Sequence, residues 1–132
     1  MRWMKKFLEW IGIKQKLDTH DYNPPLISEG DIWWCSIGEN VGVEIGGKNE
    51  RFTRPVVVLK KFGRLGFLAI PTTTKKREGS WYVPFSHKGV TEIAMLSQAR
   101  LVSYKRLDKR MGTLDGADFK RIKEAYISLL SE

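Results

Sequence analysis

The chain has 132 residues, 42% of them hydrophobic and 29% charged, and carries a net charge of +8. That length and balance describe one globular domain with a real core and exclude a disordered tail. An excess of positive charge favours an anionic partner: nucleic acid, an acidic protein or an anionic surface.

Residues 2–17 are expected to be helical. Trp3, Phe7, Trp10 and Ile11 recur at helical spacing with Met4 and Leu8 beside them, while Lys5, Lys6, Glu9 and Lys16 fall largely elsewhere on the wheel. Such a stripe packs on its own domain or on a partner subunit, or, alternatively, rests on a membrane surface. Glu9, Lys14 and Lys16 break the apolar run that a signal peptide needs, and no stretch approaches a membrane span. The expected location is therefore cytoplasmic. Asp18 to Glu29 reads as a linker, because Asn23-Pro24-Pro25 forces extended backbone. The division expected is a helix and linker over 1–28 and a β domain over 29–132.

The next segment, 30–37, is a strand by its aromatic and β-branched content. Glycines 38, 42, 46 and 47 then mark a long loop to about Thr53, and long irregular loops in small domains often carry function. Residues 54–61 form the most apolar strand, with Pro55 tolerable only near its start. Gly63-Arg64 turns the chain into a strand over 65–71. Thr72-Thr73-Thr74 and a basic loop, Lys75 to Gly79, follow. Further short strands are expected over 81–85, 93–96 and 100–104. Phe119, Ile122, Tyr126, Leu129 and Leu130 share one face of a helix over 117–130, which Asp115 caps. Short strands closed by one helix predict a mainly β protein, a small barrel with helices at its ends.

Residues 1–29 hold five basic side chains against four acidic ones, so the positive field belongs to the later domain. Its clusters are Lys60-Lys61, Lys75-Lys76-Arg77, Lys105-Arg106, Lys109-Arg110 and Lys120-Arg121. Many chemistries are absent from the pattern. One cysteine, Cys35, cannot make an internal disulfide, and there is no phosphate-binding GxxxxGK[ST] loop and no HExxH. Glu39, Glu44 and Glu50 share a loop and could hold Mg²⁺, and His20 and His87 could act as an acid–base pair, but nothing places either set together. No cofactor or metal is expected. What remains is a polar set in a basic domain: Glu44, Arg54, Thr73, Thr74, Gln98 and Arg100. RNA brings its own nucleophile, the 2′-hydroxyl. A protein that cuts it needs a proton acceptor, a proton donor and a cation for the phosphorane. Arginine stays charged, so on chemical grounds Glu44 is the better base. Trp33, Trp34 and Trp81 are candidates to stack bases if exposed.

Gly30-Asp31-Ile32-Trp33-Trp34 with Gly42-Val43-Glu44 resembles the opening strand and loop of PemK/MazF toxins. Arg54-Pro55-Val56-Val57-Val58-Leu59 is similar to that family's RPxVVL strand, and Ile70-Pro71-Thr72-Thr73-Thr74 to its P-x-T-S segment. Ser97-Gln98-Ala99-Arg100, Arg106-Leu107 and Gly112-Thr113-Leu114 resemble its QxR, RL and GxL tail, in the same order. The resemblance implies an SH3-like barrel, a homodimer and sequence-selective cleavage of single-stranded RNA. It also implies a cognate antitoxin whose acidic tail fills the RNA groove, and operator DNA bound through the antitoxin complex. By position, Arg54 and Thr73 would be the catalytic pair, with Glu44, Thr74, Gln98 and Arg100 in the groove beside the basic Lys75, Lys76 and Arg77. Two other readings stand beside it: a non-catalytic nucleic-acid-binding module, and a protein-targeting toxin like the CcdB gyrase poisons. The loop from Glu44 to Arg54 and the segment 1–28 are additions to the family pattern.

Overall fold

The computed structural model describes residues 6–132. Helix α1 (Phe7–Thr19) precedes seven strands: β1 (Asp31–Ser36), β2 (Thr53–Phe62), β3 (Gly66–Thr73), β4 (Tyr82–His87), β5 (Val90–Met95), β6 (Arg100–Ser103) and β7 (Leu107–Thr113). Helix α2 (Gly116–Leu130) closes the chain. All pairings are antiparallel, in the order β4-β5-β3-β2-β1-β7, with β6 also on β3. β2 occupies one edge of β3. The other edge is divided: Gly66 to Ala69 pair with β6, and Thr72 and Thr73 pair with β5. Pro71, which has no N–H to give, stands at that division. The sheet splits there and curls, which gives the barrel.

Both faces of the sheet are buried. Val56 and Val58 of β2 join Trp33, Cys35, Phe67 and Val102 in one core, while Val57 and Leu59 join Ile32, Ile70, Phe85 and Ile122 in the other. A strand covered on both sides reads as a continuous apolar run instead of an alternating one, which is why residues 56–59 are all valine or leucine. α2 covers the second core with Ile122, Phe119, Ala125, Tyr126 and Leu129. Its N-terminus is capped as expected, the Ala117 amide donating to Asp115 Oδ1 at 2.8 Å.

The first core is covered partly by the linker. Ile27 is buried there. Tyr22 Oη donates to the Tyr104 carbonyl at 3.3 Å, and Tyr104 Oη donates to the Tyr22 carbonyl at 2.6 Å. This reciprocal pair ties the extended segment to the barrel.

Three expectations need correction. The helix runs to Thr19, two residues past its expected end and into the expected linker, and its expected start, with Trp3 and Met4, lies outside the described residues. Its apolar stripe is mostly unburied: only Trp10 is covered, while Phe7, Leu8 and Ile11 are exposed, because the helix meets the barrel along one narrow edge. The third is β7, which the sequence reading passed over. Its sequence, LDKRMGT, is largely polar, and only Leu107 is buried. It is an edge strand, held by backbone pairing to β1 more than by an apolar face. The strands expected over 81–85 and 93–96 exist as β4 and β5, with β5 starting three residues earlier.

Candidate active site

β2, β3 and β5 converge around a hollow of about 210 Å³, walled by Trp34, Lys48, Arg54, Thr72, Thr73, Thr74 and Glu92 among others. Arg54 enters it from the second position of β2, opposite Cys35 of β1. Its guanidinium is fixed on two sides: Nε donates to the Gly46 carbonyl at 2.8 Å and one terminal nitrogen donates to the Thr72 carbonyl at 3.1 Å. A guanidinium has five N–H groups, so about three remain for a ligand. Partial burial and then the nearby Arg77 charge lower the pKa of Arg54 from its usual value. Both effects make the isolated cation costly and an arriving anion welcome.

Thr73 closes β3. It is buried, and its Oγ1 accepts the Lys75 amide at 3.2 Å, which leaves the hydroxyl proton to donate. Lys75, Lys76 and Arg77 follow on the surface, with exposed Thr74 on the wall of the hollow. Among the described residues none of Arg54, Lys75, Lys76, Arg77 or Arg100 makes an ion pair.

Glu44 lies elsewhere. A second hollow, of about 370 Å³, is lined by Ile37, Asn40, Glu44, Ile45, Gln98 and Arg100 among others, and shares no wall residue with the first. Glu44 is exposed, and its Oε1 accepts the Val41 amide at 3.1 Å within its own loop. Gln98 Oε1 accepts the Ile45 amide and its Nε2 donates to the Val43 carbonyl, both at 2.9 Å. The Gln98 amide thus clasps the backbone on both sides of Glu44. The structure brings together Arg54, Thr73 and Thr74 on one side, and Glu44, Gln98 and Arg100 on the other.

A third hollow, of about 460 Å³, continues the first and shares Trp34, Pro55, Thr74 and Glu92 with it. Lys88, Lys109 and Arg110 stand on its wall. His87 is here, whereas His20 packs on Tyr22 with ring centroids 4.8 Å apart, so the two histidines line no common hollow. Trp33 is buried, Trp34 is half-buried on the wall of both hollows, and Trp81 is exposed. Among the described residues no three of His, Cys, Asp and Glu gather as a metal site, and Glu39 accepts the Lys6 amide at 2.8 Å. Burial pushes the Cys35 thiol up to about 12, so it offers no thiolate near neutral pH.

Glu92 is the wall residue that the sequence reading missed. It is only 5% exposed, and its Oε1 lies 3.0 Å from Thr72 Oγ1. The available signal was an acid set among β-branched and apolar neighbours, Val90-Thr91-Glu92-Ile93. Reading the strand as starting at Ile93 left it out.

The model of the family described as PemK-like, MazF-like toxin of type II toxin-antitoxin system matches residues 28–130. No curated protein matches the chain in sequence. Among solved structures, MazF from Deinococcus radiodurans superposes with a TM-score of 0.65 at 21% identity, covering 85% of this chain and 100% of that one. An endoribonuclease in complex with its cognate antitoxin, from a mycobacterial species, gives 0.64 at 15% identity over 80% and 96%. Mycobacterium tuberculosis toxin MazF-mt6 gives 0.59 at 15% identity over 76% and 96%. At these identities the likeness is one of fold, and it agrees with the seven-stranded antiparallel architecture. The family model covers most of the chain, and the chain therefore belongs to the PemK-like, MazF-like toxins of type II toxin-antitoxin systems.

Proposed function

We propose that this toxin is an endoribonuclease that cuts single-stranded RNA sequence-selectively and without a metal ion, leaving a 2′,3′-cyclic phosphate and a 5′-hydroxyl. The observation that carries this reading is the Arg54 hollow: a guanidinium held by two backbone carbonyls, with N–H groups to spare and no acidic partner, beside the Thr73 hydroxyl. A phosphodiester seated there meets preorganised donors aimed at the charge that develops on its oxygens. Arg54 stabilises the phosphorane and Thr73 orients the phosphate. Thr74, Lys75, Lys76 and Arg77 carry the strand towards the hollow, and Glu44, Gln98 and Arg100 meet its neighbouring nucleotides. The 2′-oxygen attacks the adjacent phosphorus, so neither a metal-activated water nor a covalent enzyme intermediate is needed.

In the same reading the protein is a cytoplasmic homodimer. Its antitoxin lays an acidic tail over the unpaired cations, and operator DNA is engaged through that complex. Residues 1–28 are an added unit on a barrel domain over 29–132. The test is wild type against Arg54→Ala on a long single-stranded transcript in EDTA, with the fragment ends read. Defined fragments with 5′-hydroxyl ends, lost in the variant, are expected. Salt-sensitive binding without cleavage would leave a nucleic-acid-binding module in its place.

A further inference from the structure

Among the described residues the Arg54 hollow holds one carboxylate, and it is not Glu44. We propose that Glu92 is the proton acceptor for the 2′-hydroxyl of the RNA, an inference that rests on the ribonuclease reading above.

Among the described residues Glu92 is the only acid on the wall that also holds Arg54 and Thr73. Its Oε1 is steered by Thr72 Oγ1 at 3.0 Å. Thr72 lies in the β3–β5 ladder opposite Ala94, and its hydroxyl is also 3.3 Å from the Pro55 carbonyl, so the steering group is itself fixed. The second carboxylate oxygen has no hydrogen-bond partner among the described residues, and the side chain, though only 5% exposed, stands on the wall of the hollow. A general base needs this arrangement: one oxygen anchored, the other open to the reacting proton.

The charges agree. Among the described residues neither Glu92 nor Arg54 belongs to an ion pair, although both face one small hollow. An anion and a cation kept apart leave room between them for a phosphodiester, its ester oxygens towards Arg54 and its ribose hydroxyl towards Glu92. Thr72 suits both states of the carboxyl. Its hydroxyl donates to Glu92 when the acid is ionised, and it can turn to the Pro55 carbonyl when the acid is protonated and donates in return. In the step itself the 2′-hydroxyl proton passes to Glu92 as the bond from the 2′-oxygen to phosphorus forms. The bond from phosphorus to the 5′-oxygen breaks, and that oxygen takes a proton from water. Glu92 then returns its proton to solvent.

The test maps the cut site on a long transcript in EDTA and makes a short RNA around it, plus the same RNA with deoxyribose at the scissile position. Glu92→Gln is expected to lower kcat by about 10²–10⁴-fold while binding of the deoxy analogue stays within about threefold. Glu92→Ala is expected to recover part of its rate with added acetate, which keeps the test open if the Gln variant misfolds. Full activity in Glu92→Gln beside a dead Arg54→Ala overturns Glu92 and leaves the ribonuclease standing. A loss of analogue binding equal to the loss of rate, with no acetate rescue, makes Glu92 structural and overturns it too. Intact RNA with the wild type overturns both.

Discussion

The hollow around Arg54 is built mainly by strands, and the hollow around Glu44 mainly by a loop. In the first, Arg54, Thr73 and Glu92 sit on β2, β3 and β5, whose backbones are paired in antiparallel ladders. In the second, Glu44 rides on residues 37–53, which contain one isolated bridge, Lys48 to Thr53, a few backbone bonds such as the Gly47 amide to the Gly38 carbonyl, and several side-chain latches. Asn40 Nδ2 donates to the Ile37 and Ile45 carbonyls, Gln98 clasps Val43 and Ile45, and the Lys6 amide donates to Glu39. Groups on a ladder are placed by the fold itself, so a substitution there removes chemistry. Groups on the loop are placed by a few latches, and a lost latch should degrade positioning by degrees.

The largest expected effect is on the strand side. Arg54→Ala removes a charge-stabilising donor and should lower kcat by about 10²–10³-fold. Because its bonds to Gly46 and Thr72 also vanish, thermal unfolding checks that the barrel stands. A loss appearing in KM with kcat kept would mean that Arg54 only binds, and the contrast between the hollows would weaken.

Gln98→Ala comes next. It deletes two latches, one part-buried and one exposed, at about 1 kcal/mol each, enough for roughly a 10–30-fold loss if loop order limits the reaction. The loss should fall on KM, with faster amide exchange at Val43 to Gly47. A fall in kcat alone would instead make Gln98 part of the chemistry.

Trp10→Ala acts from further away. Trp10 packs on Phe52, with ring centroids 5.6 Å apart, and lies so close to Gly38 that any side chain there would collide with it. Phe52 is itself in the left-handed region, φ 55°, and Gly47 lies against its carbonyl, with its own amide bonded to Gly38. The path therefore runs from Trp10 through Gly38 to Gly47, beside the Gly46 carbonyl that holds Arg54. Losing the indole should loosen residues 37–53 and lower cleavage about two- to fivefold, with Trp10→Phe restoring most of it. An unchanged exchange rate in the loop would show that α1 is not a support for it.

These contacts also explain what the sequence made legible. The β2 run, the hairpin to β3 and the Asp115 cap were readable because each is a local pattern. β7 was hidden because an edge strand needs little apolar content. The role of Trp10 was half legible: the aromatic spacing was visible, but which indole meets a glycine in a loop almost thirty residues later is a tertiary fact. The same applies to the acids. Chemistry nominated Glu44 because arginine stays charged and a carboxylate is the better proton acceptor, whereas Glu92 comes to the wall that holds Arg54 through the pairing of β3 with β5.

The smallest effect is expected from Glu44→Gln, and it tests the comparison most directly. The substitution keeps the shape and an oxygen able to accept the Val41 amide, so the loop should hold its path. What changes is the charge at the rim of the second hollow, close to Arg100. If Glu44 only meets neighbouring nucleotides, kcat should stay within about threefold, since a rim charge acts mainly on association and its salt dependence. Removing one negative charge beside a polyanion should even strengthen binding slightly at low salt. A fall of about 10²-fold or more in kcat would instead mark Glu44 as a general base. The loop would then have to carry it to Arg54 when RNA binds, and the two hollows would be halves of one site that the free protein holds apart.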